Sequence, residues 1–142
     1  MTGSYVNRKD LQSLSRTTLR EARALLGLGL NDGAYYPAGY VVECGLKACI
    51  AQRTLRYDFP NKKLVQDLYI HAPGGLVNKA GLATELREHL AADPQFRSNW
   101  ELAGRWSAES RYNVHSRQEA DLLVRAVGDS RHGVLAWVKR YW

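Results

Sequence analysis

The sequence predicts an all-α fold, an antiparallel bundle of four to five helices built as a single domain over 1–142, with its core over about 10–141. Three observations predict it. Apolar residues recur at spacings of three and four along several stretches, no stretch alternates apolar and polar residues as a half-buried strand would, and capping signals stand at the stretch boundaries. The chain of 142 residues is long enough to share one core, and 45% hydrophobic against 24% charged residues is an ordinary balance for a folded domain.

Asp10 is the expected cap of a first helix running to about Leu28, with Leu11, Leu14, Thr18, Leu19, Ala22, Leu25 and Leu26 as its apolar stripe. The glycine-rich Gly27–Gly33 stretch ends it. A second helix is expected to open at Pro37, where a missing N–H costs nothing in the first turn. Its residues Ala38, Val41, Val42, Gly45, Leu46, Cys49 and Ile50 give the cleanest helical period in the chain. With Ala38, Gly39, Gly45 and Ala48 it is small enough for neighbours to approach, so this is the expected central helix.

After Arg53 the chain turns polar, with Leu64 and Leu68 able to support a short helical piece before the turn His71-Ala-Pro-Gly-Gly75. A third long helix is expected from about Leu76 to Ala91, and a short one opens at Asp93-Pro94 carrying Phe96 and Trp100. Ser116-Arg-Gln-Glu119 is a capping box before an apolar run, opening a last helix to about Tyr141 with a bend at Gly128 and Gly133. Trp137 falls on the inward side of that helix and is expected to pack.

No apolar run reaches the roughly 20 residues a membrane-spanning helix needs, and the N-terminal residues lack the apolar stretch of a secretory signal. Cys44 and Cys49 point in different directions on one helix, which suits two reduced core thiols. A cytoplasmic protein is the expectation. A net charge of +6 raises the prospect of an anionic partner: RNA, a nucleotide or an acidic protein. No Cys/His pattern has the spacing of a metal site, and no glycine-rich phosphate loop is present, so no metal or cofactor is expected.

The segment Tyr35-Tyr-Pro-Ala-Gly-Tyr-Val-Val-Glu-Cys-Gly-Leu-Lys-Ala-Cys-Ile50 resembles the helix of HEPN domains that carries Glu and then Leu-Lys-Ala. Tyr69-Ile-His71 followed by Ala80-Gly-Leu82, and Trp106-Ser-Ala-Glu-Ser-Arg-Tyr112 before the last helix, resemble further segments of that family. The resemblance covers about 10–140. It implies a homodimeric helical bundle that binds RNA or a nucleotide, or partners a nucleotidyltransferase, in a toxin–antitoxin or defence system. Some HEPN proteins are metal-independent ribonucleases using an Arg, a short spacer and a His; Arg111-Tyr-Asn-Val-His115 has a spacer of three residues, shorter than the family's.

Arg111 and His115 are therefore the candidate catalytic residues. RNA cleavage without metal needs a proton acceptor for the 2′-hydroxyl, a proton donor for the leaving oxygen and a cation for the phosphorane, and His and Arg supply these. In the competing structural reading Arg111 pairs with Glu109 or Glu43 and His115 is a solvated residue beside the cap. Glu43 and Lys47, four apart, are the candidate binding pair, either a surface ion pair or the lining of a polar groove. Tyr112 is the candidate base-stacking residue, while His71 reads as an exposed loop residue. Three functions follow: a dimeric binding or partner subunit, a ribonuclease toxin, or an interaction scaffold with no nucleic-acid role.

Overall fold

The computed structural model describes residues 7–57 and 71–142, with side chains 54–57 left aside. Seven α-helices and one 3-10 helix occur among the described residues, and no strand. They are α1 (Arg8–Gly27), α2 (Asn31–Tyr57), α3 (Pro73–Lys79), α4 (Ala83–Ala92), α5 (Pro94–Gly104), the 3-10 helix (Ala108–Tyr112), α6 (Arg117–Gly128) and α7 (Val134–Val138). The helical fold is as the sequence predicts, but the helices are more numerous than the four to five expected, α2 being longer and those after it shorter. The piece expected around Leu64 and Leu68 lies outside the described residues.

The first helix is capped by Asn7, not Asp10. Asn7 Oδ1 accepts from the Asp10 backbone N–H at 2.9 Å, and Asp10 returns its carboxylate to the Asn7 N–H at 3.3 Å. Asp10 is thus the third-residue acid of a capping box rather than the cap. The end of α1 is a Schellman turn: Leu30 N–H donates to Leu25 and Gly29 N–H to Leu26, with Gly29 at φ +77°.

α2 opens six residues before Pro37, through Ala34 N–H donating to the Leu30 carbonyl, so Pro37 sits inside the helix. Pro37 is the seventh residue of the helix and forfeits the backbone bond its N–H would have made to the Gly33 carbonyl. α2 is the central helix, packing on α1, α3, α6, α7 and the 3-10 helix. Ala34, Ala38, Val41, Val42, Leu46 and Ala48 on it are fully buried. Gly39 is required by a neighbour: a Cβ there would lie 2.2 Å from the indole of Trp106. Ser15 Oγ donates to the Val41 carbonyl at 2.8 Å, a sign of how closely α1 and α2 approach.

The expected helix over 76–91 is two helices. Gly81, at φ +73°, makes a second Schellman turn in which Leu82 N–H donates to Val77 and Gly81 N–H to Asn78. The apolar period runs through this glycine, which is why periodicity alone does not find the break. The last helix is likewise interrupted: Asp129 ends α6, and its Oδ1 accepts from Arg131 N–H at 2.7 Å and His132 N–H at 3.1 Å. Gly133 then caps α7, where a Cβ would lie 2.3 Å from the Asp129 carbonyl oxygen. The expected bend is a tight five-residue connection held by a carboxylate.

Trp137 packs as expected, buried among Phe96, Trp100, His89 and Tyr141. Cys44 and Cys49 are free thiols and buried. No helix of the described residues is long and apolar enough to cross a membrane.

Candidate functional site

Tyr36, Tyr40, Glu43 and Lys47 follow one another on α2 at spacings of four, three and four, which places them on one helical face. Tyr36, Tyr40 and Lys47 on this stripe are part-buried, while Glu43 between them is buried.

At its N-terminal end the stripe is aromatic. Tyr36 and Tyr40 are stacked with ring centroids 6.3 Å apart, and Trp106 lies 5.4 Å from Tyr36. The Trp106 indole N–H donates to the Tyr36 carbonyl at 3.1 Å, and the ring covers the bare Gly39. Arg111, delivered by the 3-10 helix, places its guanidinium 4.7 Å from the Tyr36 ring centroid. It lies over the ring rather than against Glu109 or Glu43, and the residue stays exposed. Burial, more than the neighbouring Cys44 and Glu43, pushes the Tyr40 hydroxyl up to about 12.

The C-terminal end is ionic. Glu43 is 3% exposed, and among the described residues its carboxylate meets Lys47 Nζ on Oε2 at 3.0 Å and His71 Nδ1 on Oε1 at 3.0 Å. A buried carboxylate is costly unless paired, so Lys47 and His71 are what make Glu43 tolerable at this position. The Lys47 side chain is itself only 12% exposed, so the pair is no surface ion pair. His71 has a half-exposed ring, oriented through Nδ1 by a carboxylate. This is the geometry by which a histidine is positioned for proton transfer.

His71 is exposed, as expected, but sequence reasoning did not give its bond to Glu43. A histidine in a connection carries no periodic signal, and its partner is 28 positions away. The resemblance around Tyr69-Ile-His71 was the only signal available; Tyr69 and Ile70 lie outside the described residues.

His115 sits elsewhere than a solvated flank. Its ring stacks on Tyr35 at 3.7 Å between centroids and 12° between planes, with the side chain 7% exposed. Nε2 faces the Ser110 carbonyl at 3.1 Å, Nδ1 faces Glu119 at 3.4 Å, and the backbone N–H donates to Asp32 in the first turn of α2. Both nitrogens therefore already face an oxygen. Arg111 and His115 meet neighbouring tyrosines, 36 and 35, that leave α2 about 100° apart. Tyr112 is 81% exposed and Val114 88%.

A second polar group lies apart from the stripe. His132 Nδ1 is 2.7 Å from Asp93, and His89 Nε2 is 3.9 Å from the same carboxylate oxygen. Asp93 also caps α5, accepting from Phe96 N–H at 3.0 Å. His132 first, and then that backbone bond, hold its carboxyl below the usual range. Among the described residues no three His, Cys, Asp or Glu side chains are arranged to hold a metal ion.

Compared with models of protein families, with curated proteins and with solved structures, the chain matches none of them. Its class is defined by its own features: an all-helical fold whose central helix carries an aromatic and ionic stripe.

Proposed function

We propose that this chain is a HEPN-type helical protein that binds RNA or a nucleotide through the α2 stripe, acting as a homodimeric subunit or as the partner of a nucleotidyltransferase in a toxin–antitoxin or defence setting. The observation that carries the reading is the Arg111 guanidinium 4.7 Å from the Tyr36 ring centroid, with the next residue, Tyr112, exposed. A fixed guanidinium meets a phosphate, and an exposed phenol ring meets the face of an unstacked base. The net charge of +6 favours the encounter. The resemblance supplies the dimer and the partner class.

A ribonuclease is the second reading. It has Arg111 as phosphorane cation, but His115 enters it with both ring nitrogens already facing oxygens. His71, oriented by Glu43, is the better-placed proton acceptor of the two.

The test is anisotropy of a labelled single-stranded RNA over a salt series, with RNA integrity followed on the same samples. Wild type is expected to bind with a salt-dependent affinity. Arg111→Ala should weaken binding to all sequences and reduce the slope of log affinity against log salt by about 0.7. Tyr112→Ala should weaken binding with the slope unchanged. Cleavage lost in both Arg111→Ala and His71→Ala would favour the nuclease. Salt-independent or absent RNA binding would leave the interaction scaffold as the reading to pursue.

A further inference from the structure

The chain has four histidines, all among the described residues, and their exposure singles one out. The His71 side chain is 51% exposed, against 35% for His132, 17% for His89 and 7% for His115. His132 and His89 gather on Asp93, apart from the α2 stripe, and His115 is stacked on Tyr35. His71 is the one that rests on the stripe, through Glu43.

Three groups set the charge at that end of the stripe. Lys47 is positive and Glu43 negative, held 3.0 Å apart and both largely buried, so the pair sums to zero. Among the described residues this end therefore gains net charge when the His71 imidazole takes a proton, and the gain falls on the exposed member of the three. Tyr40 and Cys44, the other titratable neighbours of Glu43 on α2, keep their protons at neutral pH, because burial pushes them up to about 12 and about 11. The helix that follows His71, α3, carries Lys79 as its one charged residue, in its last turn.

Arg111 gives the other end of the stripe a charge that no working pH removes. The residues on which Arg111 and His71 rest, Tyr36 and Glu43, are seven apart on one face of α2, about 10 Å along the helix axis. A ligand that uses both ends must present anions about two helical turns apart. The backbone of a short single strand of RNA does so with its successive phosphates, and the one phosphate of a mononucleotide does not.

We propose that His71 is a second phosphate contact of the stripe, so that single-stranded RNA lying along α2 is held at one end in mildly alkaline solution and at both ends in mildly acidic solution. The proposal rests on the reading of the stripe as an RNA surface. RNA binding and protonation of His71 are then linked: binding takes up a proton, and acidification tightens binding. Glu43 positions the ring through Nδ1. Lys47 does not replace His71 in this role, since its ammonium is held on Glu43 with the side chain 12% exposed.

Anisotropy of a labelled single-stranded RNA with the full chain tests this, over a salt series at about pH 5.5 and about pH 8, either side of the ordinary histidine range. Wild type should bind more tightly at the lower pH, with a slope of log affinity against log salt steeper by about 0.7, the mark of one further phosphate contact. His71→Gln should show one slope at both pH values, equal to that of wild type at the higher. His71→Arg, which fixes the charge, should show the steeper slope at both. Arg111→Ala should lower the slope at both and keep the difference between them. Circular dichroism checks that each variant folds. A wild-type slope that does not change with pH, or a change that persists in folded His71→Gln, overturns this proposal and leaves RNA binding by the stripe standing. No RNA binding by wild type at either pH overturns both.

Discussion

Gly39→Ala separates what helix propensity expects from what the tertiary contact dictates. Gly39 is well inside α2, so on propensity alone alanine should stabilise the protein by about 1 kcal/mol. The added Cβ would instead lie 2.2–2.3 Å from three atoms of the Trp106 indole. Ordinary carbon contacts begin near 3.5 Å, so ring and helix must separate by more than about 1 Å. Trp106 is 2% exposed and bonded to the Tyr36 carbonyl at 3.1 Å, so it has little freedom to yield. Forced overpacking costs about 1–3 kcal/mol, and losing the indole bond adds about 1 kcal/mol. Against the propensity gain, the net expectation is a loss of about 1–3 kcal/mol. Urea denaturation followed by circular dichroism measures it, with Gly74→Ala as reference, because no atom stands within 4 Å of a Cβ at Gly74. In Gly39→Ala/Trp106→Ala the loss should be smaller than the sum of the single losses, since the clash is gone. Gly39→Ala as stable as wild type, or more so, would refute the reasoning.

Glu43→Leu should lower stability by about 2–4 kcal/mol, because Lys47 would remain buried without its acceptor, and Glu43→Leu/Lys47→Met should recover part of that in the same urea measurement. Asp93, Glu119 and Asp129 are all held below their usual carboxyl range: Asp93 first by His132, Glu119 first by the Ser116 N–H, and Asp129 first by the Arg131 N–H. Their folded-state pKa values lie below the unfolded ones, so their contribution is fully present above about pH 5 and fades as pH falls through the folded values. Thermal melting should therefore fall as pH drops below about 4, and Asp129→Asn should lessen that fall; an unchanged profile in the variant would count against the carboxylate's hold on the α6–α7 connection. Burial pushes Cys49 up to about 12 and Cys44 up to about 11, so both thiols should resist alkylation in the native protein at neutral pH and react on unfolding. Rapid native labelling would show that the α2 core opens locally.

Much of this molecule is set within single helices, and that part is readable from residue order. The helical class, the central place of α2, the core positions from Ala38 to Ile50 and the Ser116–Glu119 capping box all rest on interactions between residues three or four apart. The pairing of Glu43 with Lys47 is of the same kind. Helix boundaries were less legible. Asn7 rather than Asp10 caps α1, and Gly81 breaks an apolar period that continues through it, because a Schellman turn depends on one backbone angle that periodicity does not encode.

The candidate sites depended on distance in space. His71 reaches Glu43 from 28 residues away, Arg111 finds Tyr36 across 75 positions, and Trp106 needs Gly39 to lie flat. Sequence named Glu43, Lys47, Arg111, His115 and Tyr112 from residue type and resemblance, but could not tell that His115 is engaged on both nitrogens while His71 is oriented by a buried carboxylate. Residue order alone determined an all-helical chain with a small-residue central helix, since that follows from local periodicity. Which polar groups are buried, and against which partners, was decided only when the helices packed, because desolvation and pairing belong to the assembled core.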